Sequence, residues 1–460
     1  MARSFDAIIV GAGQAGPALA SRLTGAGKTV AIVERHLVGG TCVNTGCKPT
    51  KTLVASAYAA RLAQRGAEYG VGVGPIAIDM PVIAARARKV ILDSRKGNED
   101  WLAGMPGLTL IRGHARFTGP RQLEVNGETI EAAQVFLNVG GRARVPDFPG
   151  VDEVDYLTNS TIIPLESVPE HLVVVGGSYI GLEFAQMYRR FGAKVTVVEQ
   201  GQRLVQREDE DVSIEIRAFL EQEGIEIRTG ACCITLRKED HGVAVGVECT
   251  EGAPEVVGSH VLLAVGRVPN TDDLGLDKAG VERDEHGYIV VDDHLATTAE
   301  GVWAMGDCNG KGAFTHTAWN DYEIVAANLL DGDARKVSDR ILGYALYVDP
   351  PLGRVGMTET QARASGRPLL VSKRPMARVG RAVEKGETNG FMKIVADAET
   401  KKILGAAILG TSGDEAIHGI LDMMNADASI GTLQWAVPIH PTVSELIPTV
   451  IGNLRPPESP

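Results

Sequence analysis

Two cysteines near the start of the sequence have the spacing of a redox pair. Cys42 and Cys47 lie five positions apart in the segment GGTCVNTGCKPTK, residues 39–51. This separation exceeds one helical turn, so a bond between the sulfurs requires a distorted helix start, for which Gly46 supplies conformational freedom. We predict that the pair opens and closes as a redox switch. A structural metal site would need two further ligands, and no His or Cys lies nearby at zinc-finger spacing. Two inert buried thiols are the other alternative.

A histidine and a glutamate near the other end of the sequence supply acid–base chemistry suited to thiols. They are His440 and Glu445 of the segment HPTVSE, residues 440–445. Thiol exchange needs a base to form the thiolate and an acid to protonate the departing thiol, and imidazole does both near neutral pH. A carboxylate five residues on can orient the imidazole and support its charge. Alone the motif also fits a surface histidine, but beside a cysteine pair it predicts a catalytic role.

Two segments of the sequence repeat one pattern of strand, glycine-rich turn, helix and strand. Residues 8–34 and 173–199 align without a gap, and each ends in a carboxylate. The hydrophobic periodicity predicts a βαβ unit in each segment. The aligned positions are Gly11 with Gly176, Gly16 with Gly181, and Glu34 with Glu199.

The turns of these two units are placed to bind the pyrophosphate of a dinucleotide. Glycines allow the phosphates to approach the helix N-terminus, where free N–H groups and the dipole favour anions. Glu34 and Glu199 each follow the last glycine of the turn by 18 residues, where an acidic residue hydrogen bonds a ribose diol. The second unit has Ser178 where the first has Gly13, which weakens the second site only slightly. Structural turns are the alternative, but two complete units predict two dinucleotides.

The composition excludes several other classes of protein. The 460 residues include 46 Lys and Arg against 58 Asp and Glu, a net charge of −12, which argues against binding nucleic acid or an anionic membrane. Six cysteines are too few for a secreted disulfide framework. The longest apolar runs have strand length, well short of the ~18 residues that span a membrane. We therefore expect a cytoplasmic protein of about three domains.

The cysteine motif and the two βαβ units resemble a known family. It is that of the FAD-dependent pyridine nucleotide-disulfide oxidoreductases, of the glutathione reductase, dihydrolipoamide dehydrogenase and mercuric reductase type. The Cys-x4-Cys signature is matched by Cys42 and Cys47, followed by Pro49 and Lys51. The resemblance covers essentially the whole chain. It implies that the first unit holds FAD and the second the nicotinamide nucleotide, that Cys47 faces the flavin, and that Cys42 attacks the acceptor.

The same resemblance implies roles for residues outside the two motifs. Lys51 and Glu183 would pair beside the flavin, and the segment FTHTA, residues 314–318, resembles the helix start beneath it. Each of these residues also has a structural alternative. Lys51 and Glu183 could form a plain ion pair, His316 could be a packing residue, and Tyr179, which the resemblance places at the nicotinamide pocket, could be a packed core residue. The implied FAD-binding residues are Gly11, Gly13, Gly16, Glu34, Gly40, Thr41, Lys51, Asp307 and His316. The implied nicotinamide-binding residues are Gly176, Tyr179, Gly181 and Glu199, and Arg267 lies at a cofactor.

The resemblance also predicts the architecture and the assembly. We expect an α/β protein with two Rossmann-like dinucleotide-binding domains and a C-terminal α+β dimerisation domain. Residues 1–148 and 270–337 would form the FAD domain, 149–269 the nucleotide domain, and 338–460 the interface domain. In the family, the His-Glu pair acts on the cysteines of the other subunit, so His440 and Glu445 imply a homodimer with shared active sites.

The sequence favours one nicotinamide but leaves the acceptor open. Glu199 accepts from a 2'-OH and repels a 2'-phosphate, so we expect NADH rather than NADPH. The acceptor is a small-molecule disulfide, a soft metal ion such as Hg(II) or Cu(II), or dihydrolipoamide. We expect that the C-terminal cysteine pair and the N-terminal metal-binding domain of the mercuric reductase kind are both missing, and that soft-metal reduction would lack a relay. A redox sensor without turnover is a hypothesis of another class, which the full set of catalytic positions disfavours.

The remaining four cysteines carry no predicted chemistry. Cys232 and Cys233 are adjacent on a predicted strand, where neighbouring side chains point to opposite faces, so we expect no chelate. Cys249 and Cys308 stand alone in the sequence. We expect all four to be small buried hydrophobes and predict no metal site in the chain.

Overall fold

The first part of the chain forms a parallel sheet with antiparallel strands added to it. The structure, a computed structural model, describes residues 2–248 and 252–457. The strand order is β3-β2-β1-β6-β5-β4, and β16 pairs with β6. The elements are β1 (Arg3–Val10), α1 (Ala15–Gly25), β2 (Val30–Glu34), α2 (Gly40–Asn44), α3 (Cys47–Gln64), α4 (Met80–Ala103), β3 (Leu108–Arg112), β4 (Ala115–Gly119), β5 (Gln122–Val125), β6 (Glu128–Leu137) and β7 (Gly141–Ala143).

The second part repeats the parallel arrangement and adds a small antiparallel sheet. The strand orders are β10-β9-β8-β14 and β11-β12-β13. The elements are β8 (His171–Val175), α5 (Tyr179–Phe191), β9 (Lys194–Val198), α6 (Glu210–Gln222), β10 (Glu226–Arg228), β11 (Cys232–Glu239), β12 (Gly242–Glu248), β13 (Glu255–Gly258), β14 (His260–Leu263) and β15 (Arg267–Pro269).

The chain then returns to the first sheet before it forms the last domain. The returning elements are α7 (Leu276–Ala279), β16 (Val302–Ala304) and α8 (Thr315–Ala326). The last sheet is antiparallel, with the order β17-β18-β21-β20-β19. Its region contains β17 (Gly343–Leu346), β18 (Leu352–Gly356), α9 (Glu359–Ala364), β19 (Leu369–Pro375), α10 (Gly380–Glu384), β20 (Phe391–Asp397), β21 (Ile403–Leu409), α11 (Gly413–Ala416), α12 (His418–Asn425), α13 (Ile430–Gln434) and α14 (Ile447–Gly452).

Both predicted βαβ units are present, as β1-α1-β2 and β8-α5-β9. In each unit the two strands pair in parallel. The apolar runs AIIV at the end of β1 and LVVV in β8 are buried throughout, as expected for a parallel sheet covered on both faces. This arrangement places the two glycine-rich turns at the carboxyl ends of β1 and β8. The predicted fold class is confirmed, whereas the domain limits remain predictions.

Separate hydrophobic cores support the sheets. One core packs β1, β2 and β6 against α1 and α8, and another packs β8 and β9 against α5 and α6. A third core fills the antiparallel sheet of the last domain. None of the described helices has the length and apolar character required to cross a membrane.

Candidate active site

The two cysteines of the predicted redox pair lie on consecutive short elements. Cys42 is within α2, and Cys47 is the first residue of α3. Gly46 separates the helices, and a Cβ at this position would lie 2.8 Å from the carbonyl oxygen of Thr41. A larger residue there would push the two helices apart. Both thiols are free in this structure.

The two thiols share one proton unequally. The hydrogen bond from the Cys42 thiol is the main reason why the pKa of Cys47 falls to about 6, and Thr315 and the positive charge of Lys51 lower it further. The same hydrogen bond, together with burial, holds the pKa of Cys42 far above its usual range. In the reduced protein near neutral pH, the negative charge is therefore on Cys47 and the proton is on Cys42.

A residue that the sequence analysis missed completes this arrangement. The hydroxyl of Thr315 lies 3.2 Å from the sulfur of Cys47. Thr315 is the first residue of α8, where the helix dipole favours a nearby negative charge. The segment FTHTA predicted this helix start, but nothing in the sequence indicated that the hydroxyl of Thr315 would contact a cysteine.

His316 itself anchors the start of α8 to the last domain. Its Nε2 donates to the carbonyl of Gly343 in β17 at 2.7 Å, and its ring stacks on Phe314. Burial lowers the pKa of His316, so the ring is neutral near pH 7. These are packing contacts, and a contact between His316 and a cofactor remains a prediction.

The structure brings Lys51 and Glu183 together as the resemblance implied. The Nζ of Lys51 lies 2.6 Å from one oxygen of Glu183, whose side chain is 5% exposed. The other oxygen accepts from the backbone N–H of Tyr347 at 3.0 Å, and the Lys51 ammonium lies 4.5 Å from the centre of the Tyr347 ring. The pair therefore has fixed partners, and it places a cation near Cys47.

The first glycine-rich turn has the shape of a dinucleotide cradle. Gly11 has a φ of +104°, and a Cβ there would lie 2.3 Å from the carbonyl oxygen of Asn138. A Cβ on Gly16 would lie 2.4 Å from the carbonyl of Gly11, and one on Gly40 would lie 2.9 Å from the Cα of Gly13. These positions exclude side chains, so the backbone N–H groups at the start of α1 stay accessible to a pyrophosphate. The cradle fits FAD.

The carboxylates that end the two units occupy equivalent positions. Glu34 accepts from the backbone N–H groups of Ala12 and His36, each at 2.8 Å. Glu199 accepts from Gly177 at 2.5 Å and Gly201 at 2.7 Å. Each carboxylate thus joins the turn to the following loop. Since a carboxylate oxygen accepts two hydrogen bonds, both keep capacity for a ribose hydroxyl, and that contact remains a prediction.

Asp307 and Arg267 face each other near the carboxyl end of β16. The guanidinium of Arg267 lies 3.6 Å from the carboxylate of Asp307 and donates to the carbonyl of Gly141. Burial raises the pKa of Asp307, and the charge of Arg267 opposes this shift. The strand β15, which begins at Arg267, pairs with β7 and so positions this side chain. A contact between Arg267 or Asp307 and a cofactor remains a prediction.

Tyr179 is held by a buried polar network that the sequence did not indicate. Its hydroxyl donates to Glu208 at 3.0 Å, and the hydroxyl of Tyr344 donates to the same oxygen at 2.7 Å. The other oxygen of Glu208 accepts from Arg354 at 2.6 Å and 2.9 Å. Arg354 is completely buried. Arg354 and Tyr344 belong to the last domain. The hydrogen bonds through Glu208 therefore connect the Tyr179 ring, which lies at the second glycine-rich turn, to that domain.

The predicted His-Glu pair is formed and faces outward. The Nδ1 of His440 lies 2.8 Å from the carboxylate of Glu445, and the imidazole is 81% exposed. Three large apolar side chains just before it are also exposed, namely Trp435, Val437 and Ile439. Several large apolar side chains exposed close together in one segment are more typical of a protein–protein interface than of a surface in water.

Comparison with known families identifies the chain. The model of the pyridine nucleotide-disulphide oxidoreductase family matches residues 5–321, and the model of its dimerisation domain matches residues 343–451. The chain belongs to this family. It is therefore an oxidoreductase that depends on FAD and NAD(P)H. The dimerisation domain indicates a homodimer.

Several relatives align along nearly the whole chain. The probable pyridine nucleotide-disulfide oxidoreductase RclA of Escherichia coli is 35% identical, covering 96% of this chain and 97% of its own. The dihydrolipoyl dehydrogenase of Thermus scotoductus is 34% identical, covering 96% of both chains. The mercuric reductase of Bacillus cereus is 32% identical, covering 96% of this chain and 70% of its own. A solved structure, the Cu(II) complex of the HOCl-induced flavoprotein disulfide reductase RclA from Escherichia coli, superposes with a TM-score of 0.89 at 34% identity over 98% of this chain and 99% of that one.

The structure corrects the interpretation of two of the remaining cysteines. Cys232 and Cys233 are exposed rather than buried, whereas Cys308 is buried as expected. The sulfurs of Cys232 and Cys233 lie on the same side of the strand, close to Glu248, so the expectation of opposite faces was wrong. The physical reason is an irregular strand register at this point. Cys249 lies outside the described residues.

Proposed function

We propose that Cys42 and Cys47 pass two electrons from a nicotinamide nucleotide to a small-molecule disulfide. The arrangement of the two thiols carries this proposal: they lie on consecutive helices, and the sulfur of Cys47 lies 3.2 Å from the hydroxyl of Thr315. Cys47 holds the charge next to Lys51 and Thr315, the environment of a thiolate that faces the flavin. Cys42 keeps its proton and is the interchange thiol.

Residues of both dinucleotide-binding units support the cofactors. The glycine cradle, with Glu34, Asp307 and Arg267, would hold FAD, which when bound takes a hydride from the nicotinamide and supplies two electrons to the Cys42–Cys47 disulfide. The second turn, with Glu199, would hold the nicotinamide nucleotide. Arg203, the nearest cation in sequence, donates to the carbonyls of Gln206 and Glu208. Because Arg203 has these partners and Glu199 repels a 2'-phosphate, NADH is the preferred donor.

The exchange reaction starts with the removal of a proton from Cys42. A base is needed because the pKa of this thiol is raised, and we assign that role to His440 of the partner subunit. The Cys42 thiolate attacks one sulfur of the substrate, forming a mixed disulfide. The other sulfur leaves as a thiolate and takes the proton from the imidazole. The Cys47 thiolate then attacks the Cys42 sulfur, which restores the Cys42–Cys47 disulfide and releases the second product thiol, protonated by solvent.

The position of the His-Glu pair supports an active site shared between subunits. His440 is exposed on a segment that also exposes Trp435, Val437 and Ile439. A second copy of the chain that packed on this segment would cover the apolar side chains and would also bring its own active site next to the imidazole. Glu445 holds the ring by its Nδ1, which leaves Nε2 for proton transfer. Each homodimer would contain two such composite sites.

Soft-metal reduction is a second candidate function. The observation that favours it is the structural match to a relative whose solved structure is a Cu(II) complex. Two electrons released when the Cys42 and Cys47 thiols form their disulfide would reduce two Cu(II) ions to Cu(I), or one Hg(II) ion to the metal. A metal ion takes up no proton on reduction. The Cys42 thiol still has to lose its proton, which passes to solvent, but no departing thiolate has to be protonated. His440 would therefore act in this reaction only as a base and not as an acid.

Mixed dimers test the shared site directly. Cys42→Ser and His440→Ala protomers should each form inactive homodimers, and subunit exchange between them should restore one native site per hybrid dimer. His286→Ala, which alters another exposed histidine, should leave turnover unchanged. Hybrid dimers that form and stay as inactive as either parent would contradict the role of His440 in the partner's site.

A panel of acceptors tests the reaction. NADH oxidation is measured with small disulfides, Cu(II) and Hg(II), and NAD⁺ reduction is measured with dihydrolipoamide. We expect disulfide turnover that falls at least about a hundredfold in His440→Ala, the size of a typical acid–base contribution. Metal reduction that exceeds disulfide turnover, and that falls by a smaller factor than disulfide turnover does in His440→Ala, would favour the second candidate. The absence of turnover with every acceptor would contradict both and favour a redox sensor.

A further inference from the structure

The first strand of the small antiparallel sheet begins with an irregularity. In the pairing of β11 with β12, Cys232 faces Glu248 and Thr235 faces Gly246. Three steps along one strand thus match two steps along the other, as in a β-bulge, where one extra residue is inserted. Cys233 lies within the bulge and has a φ of +52°. This left-handed conformation is uncommon for residues other than glycine and costs about 1 kcal/mol or more.

The bulge turns two neighbouring thiols to one side of the sheet. In a regular strand Cys232 would point inward, opposite to Cys233. Here both cysteines are exposed, as is Glu248 on the adjacent strand. One ligand atom from each of the three residues lies within 4.8 Å of the others. Among the residues that the structure describes, no other trio of His, Cys, Asp or Glu side chains is grouped in this way.

We propose that Cys232, Cys233 and Glu248 form a binding site for a thiophilic d10 cation, of which Zn(II) and Cd(II) are representative. Two thiolates and one carboxylate suit such ions, whereas Mg²⁺ and Ca²⁺ prefer sites built entirely from oxygen. Three protein ligands leave a fourth position open for water or an external ligand, as in non-structural zinc sites. The site is separate from the Cys42–Cys47 pair and does not depend on the proposed acceptor.

The geometry requires only small movements to close around a cation. Two sulfurs bound to one tetrahedral zinc at ~2.3 Å lie roughly 3.8 Å apart. The sulfur of Cys232 is already 4.0 Å from the carboxylate of Glu248 and 3.3 Å from its carbonyl oxygen. Exposed side chains change rotamer readily. Rotation of the three side chains can therefore bring their ligand atoms, now within 4.8 Å of one another, to metal-binding distances without movement of the strands.

The charge of the cluster favours a cation as well. Within residues 2–248 and 252–457, no Lys, Arg or His forms an ion pair with Glu248. The carboxylate and two ionisable thiols thus stand together with no positive partner in the described chain. A bound divalent cation would neutralise the charge that develops when the thiols ionise, which is why metal binding and thiol deprotonation are coupled.

Cadmium titration of the holoenzyme tests the site. The active-site thiols are first removed by Cys42→Ser and Cys47→Ser, and the FAD-loaded protein is reduced and freed of reductant without oxygen. Cd(II) is then added while the ultraviolet absorption of the cadmium–thiolate bond is recorded. We expect saturation at one Cd(II) per chain and competition by Zn(II). Adding Cys232→Ser and Cys233→Ser should abolish the signal, whereas Cys308→Ala and Cys249→Ser should retain it.

Glu248→Gln tests the third ligand. Groups that merely support metal ligands typically contribute 10-fold to 100-fold in affinity, so we expect at least about tenfold weaker Cd(II) binding. Equal binding by Glu248→Gln, or an unchanged signal without Cys232 and Cys233, would overturn the proposal. In a chain with native Cys42 and Cys47, Cys232→Ser with Cys233→Ser should keep full NADH-driven turnover. A loss of turnover in a folded, FAD-loaded variant would place the pair on the catalytic path and overturn the proposal of a separate site.

Discussion

Replacing Thr315 by valine should raise the pKa of the Cys47 thiol by about one unit. The hydroxyl lies 3.2 Å from the Cys47 sulfur, and valine keeps its shape without the donor. A hydrogen bond to a charged group contributes ~1.5–3 kcal/mol net, and a sulfur acceptor places this one at the lower end. Since one pKa unit corresponds to ~1.4 kcal/mol, the pKa should move from about 6 to roughly 7.

The rate of alkylation as a function of pH measures this shift. The thiolate is the form that reacts with iodoacetamide, and tandem mass spectrometry separates modification of Cys47 from that of Cys42. In the reduced wild-type enzyme, reactivity at Cys47 should be full well above pH 6 and should be lost as the pH falls through about 6. In Thr315→Val the same loss should occur about one unit higher. Thr315→Ser keeps the hydroxyl and should follow the wild type.

Two results would refute this reasoning. If Thr315→Val shows the wild-type midpoint, the hydrogen bond from Cys42 and the charge of Lys51 are sufficient to stabilise the thiolate. If Thr315→Ser shifts the midpoint as far as Thr315→Val does, the effect comes from packing at the start of α8 and not from the hydroxyl.

Three further predictions concern the interchange thiol, the choice of nicotinamide nucleotide and the buried ion pair of Arg354 with Glu208. Cys42→Ser should keep FAD bound and reducible by NADH but lose disulfide turnover, because the attacking sulfur is gone; full turnover in a steady-state assay would contradict its role. NADH should exceed NADPH in kcat/KM, and Glu199→Arg should narrow or reverse the ratio; a wild type that prefers NADPH would show that another residue governs the site. Arg354→Met should lower the free energy of unfolding by ~3–5 kcal/mol, because it leaves the buried Glu208 charge without its partner. The exposed Arg22, which pairs with Asp331, is the control, and Arg22→Met should cost no more than ~1 kcal/mol in the same thermal denaturation series.

The sequence predicted those features that a local pattern encodes. The glycine-rich turns at Gly11 and Gly176 follow from spacing within about 30 residues, and the structure contains both βαβ units. The Cys42–Cys47 motif is equally local. His440 and Glu445 are neighbours in sequence, so their contact was also accessible to prediction.

The features that were missed arise from contacts between distant parts of the chain. Thr315 reaches Cys47 across 268 positions, and a threonine at a helix start is common for structural reasons alone. Arg354 reaches Glu208 across 146 positions, and neither residue lies in a recognisable motif. The exposure of Cys232 depends on its register with β12, which is set by cross-strand pairing and cannot be read from β11 alone.

The unequal sharing of one proton by Cys42 and Cys47 determines how the midpoint potential of the pair depends on pH. Above the pKa of Cys47, two electrons and a single proton convert the disulfide into its reduced form, so the potential should fall by ~30 mV per pH unit. Below about pH 6, a second proton is taken up and the slope should double to ~59 mV per pH unit. A hydride consists of two electrons and one proton. Near neutral pH, reduction by the nicotinamide therefore supplies the same numbers of electrons and protons that the Cys42–Cys47 disulfide takes up. Solvent protons are then drawn in only when the product thiols are released.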